Sequence, residues 1–381
     1  MKALIAIFVA SKPQKVLARS SAAVNKVLGR NPKMSIKNYT SSTALTLGLF
    51  VAISISVSAQ SESNREAAGD VAKPQTASPT DFVDTLNATF GKQTTNRATH
   101  AKGIVVSGKF TPGAGAKSVS KAPHFQQTVP LTCRFSDNTG IPTLPDADGN
   151  ATPHGMALKF HLPDGSDTDL VTHSFNGFPA ATGDEMRRFI IAVSSSGPGV
   201  SSPTPLDKFL ETHPAAKRFV TSLEPPPVSY ATLAYFGVNS FRFTNTDGKV
   251  TFGRYQIIPQ AGKHFLSKED AAKATPDYLS DELRNRLAKG PIRFDFRLQL
   301  PEASDKIDNP SITWSDKNKT VDLGVIEITS IVPDSATTER TLLFLPDLLP
   351  VGIEAADPMI QFRNKAYPIS YDRRHALETK K

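Results

Sequence analysis

The sequence has one cysteine in 381 residues, Cys133. A single thiol excludes an internal disulfide framework, a thiol-based zinc site and C-x-x-C-H haem attachment. Cys133 lies in Val129-Pro-Leu-Thr-Cys-Arg-Phe135, which reads as a strand, and is expected to be buried and inert. Acid is missing altogether from one stretch: residues 1–59 hold eight Lys or Arg and no Asp or Glu. The formal net charge of +8 therefore belongs to that stretch, and the rest of the chain carries 36 basic against 36 acidic groups. A balanced body has no broad electrostatic hold on phosphate, so nucleic acid is not expected as a partner. Long apolar runs are absent too. The longest, Ala44 to Val57, is too short to span a bilayer comfortably.

That run follows Lys37 and ends in the small residues Val57-Ser58-Ala59, the layout of a secretory signal. Residues 1–59 are read as a leader, with Met34 placed to start one of ordinary length. The mature chain is expected to begin near Gln60, exported to the periplasm or secreted, without stable membrane insertion. Residues 60–77 read as a polar linker, and 78–381 as a single domain. An apolar content of 39%, with 22 Phe, is that of a globular body with a sizeable core.

Ser78-Pro79 opens a helix in which Phe82, Leu86 and Phe90 share one face and Gly91 ends it. From Gly103 the apolar period changes to two, giving strands near 104–110, 129–135 and 157–162. Phe241 and Phe243 lead into Asp247-Gly248, read as a two-residue hairpin turn, and Val250 to Ile257 return. In Ile292 to Leu300 every second residue is apolar, the mark of a strand buried on one face. Val321 to Ile328 alternates likewise until the pattern slips by one. Helices are expected at 206–223, broken near Pro214, and at 276–288, closed by Gly290. The fold class is α+β: an antiparallel β-barrel or strongly curled sheet with helices inserted between strands.

Four clusters carry chemistry: Arg97-Ala-Thr-His100-Ala-Lys-Gly103; Arg134-Phe-Ser136; Asp164-Gly165 with Asp169-Leu-Val171 and Asn176-Gly-Phe-Pro179; and Asp357-Pro-Met-Ile-Gln361-Phe-Arg363-Asn-Lys-Ala-Tyr367, with Arg374 beyond. On a helix, the four-residue spacing of Arg363 and Tyr367 puts a guanidinium beside a phenol. The other seven histidines, His124 and His173 among them, show no paired metal-ligand spacing and read as surface or core residues.

In this order and spacing the clusters resemble the haem catalase superfamily, over about residues 80–375, and most of all its short, exported catalase-related peroxidases. The resemblance implies a catalase-like barrel core with inserted and flanking helices, haem b as cofactor, and peroxide with a small organic electron donor as substrates. It implies Tyr367 as axial ligand of the iron with Arg363 supporting the phenolate, and His100 as a neutral general acid–base oriented by Ser136. It further implies Asn176 as the amide that holds the peroxide, Arg97, Arg134 and Arg374 on the haem propionates, and Phe189 stacked on the haem. Lys365 and Ile369 depart from ordinary catalases, which have Phe and Asp there. Only 14 residues follow Tyr367. The expectation is a monomer or small homo-oligomer with more open haem access, and the regions that the family's NADPH site uses are not matched.

Overall fold

The structure, a computed structural model, describes residues 76–92 and 94–375. The expected leader, nearly all of the linker and the last six residues lie outside the described residues. Helix α1 (Pro79–Phe90) starts as its sequence dictates: the Ser78 hydroxyl accepts from the Asp81 amide at 3.1 Å, and the Ser78 amide donates to the Asp81 carboxylate at 2.9 Å.

Ten strands follow: β1 (Gly103–Pro112), β2 (Val129–Ser136), β3 (Gly155–His161), β4 (Asp167–His173), β5 (Tyr235–Phe236), β6 (Phe241–Thr244), β7 (Val250–Pro259), β8 (Ile292–Gln299), β9 (Thr320–Ile331) and β10 (Ile353–Ala355). Every pairing is antiparallel. Eight strands run in the order β7-β5-β4-β3-β2-β1-β9-β8, and β8 pairs back with β7 to close a barrel. Strands β6 and β10 extend it beside β7. Interleaved or flanking are α2 (Ala114–Val119), α3 (Gly183–Ser194), α4 (Pro205–Thr212), α5 (Pro214–Thr221), α6 (Lys268–Ala271), α7 (Tyr278–Leu287), α8 (Ser335–Thr341) and α9 (Pro358–His375). Pro214 splits α4 from α5, as a ring without an amide proton requires. Among the described residues no helix is long and apolar enough to cross a membrane.

Alternation fills the barrel. Leu131, Cys133 and Phe135 of β2, Met156, Leu158 and Phe160 of β3, and Phe294, Phe296 and Leu298 of β8 belong to one buried core. Cys133 is fully buried there, and burial raises its thiol pKa well above the ordinary value. The slip in the β9 pattern is a bulge: Phe296 faces Gly324 but Arg297 faces Asp322. Gly324 sits at φ 127°, and a Cβ there would lie 2.2 Å from the Thr111 carbonyl oxygen, so no larger residue fits. The hairpin between β6 and β7 is wider than the Asp-Gly pair suggests. The Asn245 amide donates to the Lys249 carbonyl, and the Asn245 side chain accepts from the Asp247 and Lys249 amides, leaving three residues in the loop.

A second apolar cluster joins α1, α3, α4, α5 and α9 through Val83, Leu86, Phe189, Ile190, Leu206, Leu210, Phe219 and Ala366. The wall between this helical layer and the outer face of β2, β3 and β4 is where the polar residues gather.

Candidate active site

A cavity of about 790 Å³, its open mouth included, lies against that outer face. Strands supply Arg134, Ser136, Gly155, Ala157 and Val171, helix α1 supplies Phe82, Val83 and Leu86, and α9 supplies Ala366, Tyr367, Ser370 and Arg374. Arg97 and His100 reach it from the segment before β1. The residues that face it from the strands alternate with those that fill the barrel, so one wall serves both core and site.

His100 is held by its backbone. The His100 and Ala101 amides donate to the Asn138 and Thr139 carbonyls at 3.1 and 2.8 Å, and the Asp137 amide donates to the Lys102 carbonyl at 3.0 Å. This zipper fixes His100 at φ 54°, a left-handed conformation uncommon outside glycine. Its ring then lies over Gly155, where a Cβ would come within 3.1 Å of Nδ1 and 2.6 Å of the Ser136 hydroxyl. Nδ1 and the Ser136 Oγ are 3.1 Å apart. Burial, with the charges of Arg134 and Arg363, pushes the imidazole pKa down to about 3. The ring is neutral at pH 7, as the sequence reading expects.

On α9, the Arg363 Nε donates to the Tyr367 hydroxyl at 2.8 Å, and Arg363 also donates to the Asn239 side-chain oxygen. The Asn239 amide in turn donates to the buried Asp357 carboxylate at 3.0 Å. The guanidinium is thus aimed at the phenol by a relay that ends on a buried acid. Asn239 carries no local signal of this role; only folding brings it to Arg363.

Arg97, Arg134 and Arg374 come together from three parts of the chain, on one short segment. Arg97 donates to the Glu339 and Leu342 carbonyls at 2.9 and 2.6 Å, and Arg374 to the Arg340 and Leu342 carbonyls at 2.9 Å each. Arg134 donates through Nε to the Glu339 carboxylate at 2.9 Å and through Nη2 to the His100 carbonyl at 2.8 Å. Burial and the neighbouring guanidiniums push Arg97 well below its ordinary pKa. The same effects bring Arg374 down to about 10. Glu339 escapes sequence reasoning because it meets Arg134 across 205 positions of chain.

Two expected members do not join the group. The Asn176 side chain donates to Asp316 at 3.1 Å in the loop after β4, and the residue does not line the cavity. Its carbonyl accepts from Arg218 and Thr313 at 3.0 and 3.2 Å. Phe189 is buried among Phe209 and Phe219, with ring centroids 5.9 and 6.2 Å away, as helical packing and not as a wall of the cavity. Among the described residues no cluster of three or more His, Cys, Asp or Glu is arranged to hold a metal ion by itself.

The catalase family profile matches residues 55–381. The chain belongs to the catalase family. It is 37% identical over 310 residues to a catalase-related peroxidase of Mycolicibacterium paratuberculosis, covering 79% of this chain and 96% of that one. A catalase-related peroxidase of Synechococcus elongatus is 30% identical over 302 residues, 78% and 88% of the two chains. Among solved structures, a fungal catalase superposes with a TM-score of 0.66 at 20% identity, over 77% of this chain and 62% of that one. A bacterial catalase gives 0.65 at 22% identity, over 82% and 64%. The chain thus spans a little under two thirds of those solved catalases.

Members of this family generally bind haem, and the cavity of this catalase-family chain fits that group. The walls are largely apolar, with Tyr367 in one and His100 in another. Arg97, Arg134 and Arg374 gather at one end of the cavity, with Glu339 paired to the first two, a cationic set of the kind that buried propionates need.

Proposed function

We propose that this catalase-family chain is a haem b-dependent peroxidase that reduces hydrogen peroxide or an organic hydroperoxide and draws the electrons from a small organic donor. The observation that carries the reading is one cavity that joins a neutral His100, seated on Gly155 and tied to Ser136, to a Tyr367 whose oxygen is bonded by Arg363. The two relatives described above bear the name catalase-related peroxidase and are matched over nearly their whole length.

Haem, when bound, would supply a redox-active iron for two-electron chemistry on peroxide. Tyr367 would hold that iron through its oxygen. The Arg363 guanidinium donates to that same oxygen at 2.8 Å, which fixes its position. Arg97, Arg134 and Arg374 would bind the propionates. His100 works with its other nitrogen. With the Nδ1–H donating to the Ser136 Oγ, Nε2 is the nitrogen left to take the proton from the near peroxide oxygen and deliver it to the far one, which leaves as water or an alcohol. A pKa near 3 keeps that nitrogen free to accept at every physiological pH.

Export also belongs to this proposal: the basic, acid-free leader supports a mature chain beginning near Gln60 in the periplasm or outside the cell, acting as a monomer or small homo-oligomer. N-terminal sequencing of protein from the producing cell tests it. For the chemistry, protein produced with haem supplied is expected to show a Soret band and to oxidise a phenolic donor with an alkyl hydroperoxide. Oxygen evolution is expected well below that of a long catalase. No Soret band would overturn the haem assignment, and rapid oxygen evolution without donor oxidation would make the chain a true catalase.

A further inference from the structure

Two residues of the barrel wall support the His100 ring: Ser136, whose hydroxyl lies 3.1 Å from Nδ1, and Gly155, over which the ring lies. They are registered partners, and theirs is the last pair of the β2–β3 ladder. Ladders fray where they stop, so the spacing of Ser136 from Gly155 needs a brace just beyond. The next two residues, Asp137 and His154, form one. The His154 Nδ1 lies 3.0 Å from the Asp137 Oδ1 across the gap between the strands. Main-chain bonds run elsewhere at this point: the Asp137 amide donates to the Lys102 carbonyl and the His154 amide to the Ser174 hydroxyl. Side chains take over where the ladder ends.

Successive residues of a strand point to opposite faces. Ser136 and Gly155 line the cavity, so Asp137 and His154 project into the barrel. Tyr230, a member of the barrel core, meets them there. Its hydroxyl donates to the same Asp137 oxygen at 3.0 Å, and its ring stands edge-on to His154 at 5.7 Å. That ring is in turn stacked on Phe135 at 5.2 Å. Burial, and next the Asp137 charge, push the phenol well above its ordinary pKa, so it remains a donor. All three side chains are buried.

As a source of stability the arrangement is poor. Among the described residues, Asp137 Oδ2 and His154 Nε2 are buried with no hydrogen-bond partner. Desolvating such atoms is costly, and apolar side chains of like volume often leave a fold equally or more stable than a buried polar cluster does. What the pair supplies is direction. A carboxylate only accepts, so Nδ1 carries the proton and the bond forms at one separation and one orientation. We infer that Asp137 and His154 are positioning residues for His100, a clasp inside the barrel that fixes how far apart Ser136 and Gly155 stand and so where the imidazole sits. The inference rests on the reading of His100 as the proton carrier. Neither residue lines the cavity, and both act through its wall.

The test uses the full chain produced with haem supplied, and three variants. One combines Asp137→Leu, His154→Leu and Tyr230→Phe and makes the corner apolar; the others are His154→Asn and His154→Gln. In Asn the amide nitrogen is bonded to Cγ, as Nδ1 is, whereas in Gln it stands one carbon further out. The two share chemistry and differ in reach. Each protein is read by melting temperature, haem content, exchange of the His100 and Ala101 amides, and KM and kcat with hydrogen peroxide. The apolar variant is expected to melt at or above the unaltered protein and to keep its haem. It should nevertheless exchange those amides about tenfold faster, the worth of about one hydrogen bond. Its kcat and kcat/KM should fall together by about tenfold to a hundredfold, the mark of a misplaced group that acts in the transition state. His154→Asn should recover most of both losses, and His154→Gln should not. Unchanged exchange and turnover in the apolar variant, or equal behaviour of Asn and Gln, overturns the inference. If the apolar variant does not fold or melts lower, the Asn–Gln pair decides: retention in Asn with loss in Gln supports the clasp, and equal behaviour overturns it. Absence of a Soret band in the unaltered protein would instead sink the haem reading, and amide exchange would still test the clasp.

Discussion

His124 and His100 lie on different sides of the barrel wall. Both are pushed to a pKa of about 3, and burial is the leading cause in each. His124 packs among the aromatic rings that fill the barrel, stacked on Phe160 at 5.1 Å and edge-on to Phe125 at 4.5 Å, with its Nδ1 unpaired. His100 stands outside, with a hydroxyl at one nitrogen, a glycine beneath the ring and a cavity before it. A depressed pKa is thus first of all a record of desolvation. Companions and access make one of these rings a proton carrier and leave the other as filling.

That comparison can be broken or sharpened by four substitutions. The largest effect is expected from Tyr367→Phe, which removes the oxygen that Arg363 addresses. The variant should lose most of its haem while keeping the far-UV circular dichroism and melting behaviour of the haem-free barrel; a normal haem spectrum would show that another group holds the iron. His100→Ala comes next. Haem should stay, and the single-turnover reaction with peroxide should slow by about two or more orders of magnitude, the usual worth of a lost general acid–base. Stopped-flow absorbance reads this directly, and an unchanged rate would place the proton transfer elsewhere.

Gly155→Ala removes no functional group at all. The added methyl would lie 2.6 Å from the Ser136 hydroxyl, which must move, and 3.1 Å from the His100 Nδ1, which must give by a few tenths of an ångström. A loss of about tenfold to a hundredfold in kcat/KM with haem retained is expected, in keeping with the sensitivity of positioned groups to small displacements. Full activity in that variant would mean that the ring position is not critical.

The smallest effect is His124→Phe, which should leave peroxide turnover at neutral pH untouched and show only in acid. An imidazole held at pKa 3 in the folded chain but 6.5 in the unfolded one lets the unfolded state bind the extra proton. Stability is therefore intact above about pH 6.5 and is lost as pH falls toward 3, by about 1.4 kcal/mol per pH unit for each such histidine. His100, His124 and His173 all contribute. Denaturant titrations between pH 6.5 and 4 should show a shallower acid limb for His124→Phe by one histidine's share. An identical slope would mean that His124 is protonated in the folded chain.

Much of this architecture is legible in the sequence because it is local. Alternation in β8 and the Ser78-Pro79 start of α1 are short-range physics, and the slip in β9 marks the bulge at Gly324. The Arg363–Tyr367 pair follows from helix periodicity. What is not legible is assembled at long range. Glu339 reaches the arginines from far along the chain, and Asn239 braces Arg363 across 124 positions. The spacing of Asn176 to Pro179 carried the resemblance, whereas its neighbours Arg218 and Asp316, far along the chain, hold it outside the cavity lining.

The left-handed backbone at His100 has a consequence beyond mechanism. An L-residue in that conformation costs about 1–2 kcal/mol that glycine would not incur. Were thermal robustness the sole selective pressure, mutation would drift position 100 toward glycine or asparagine, and the chain would gain durability as it fell silent. A population passaged without peroxide stress should accumulate such replacements at this codon sooner than at the apolar positions of the barrel interior. Histidine persists there only while the reaction is being used, which makes this one codon a running record of the lineage's exposure to oxidants.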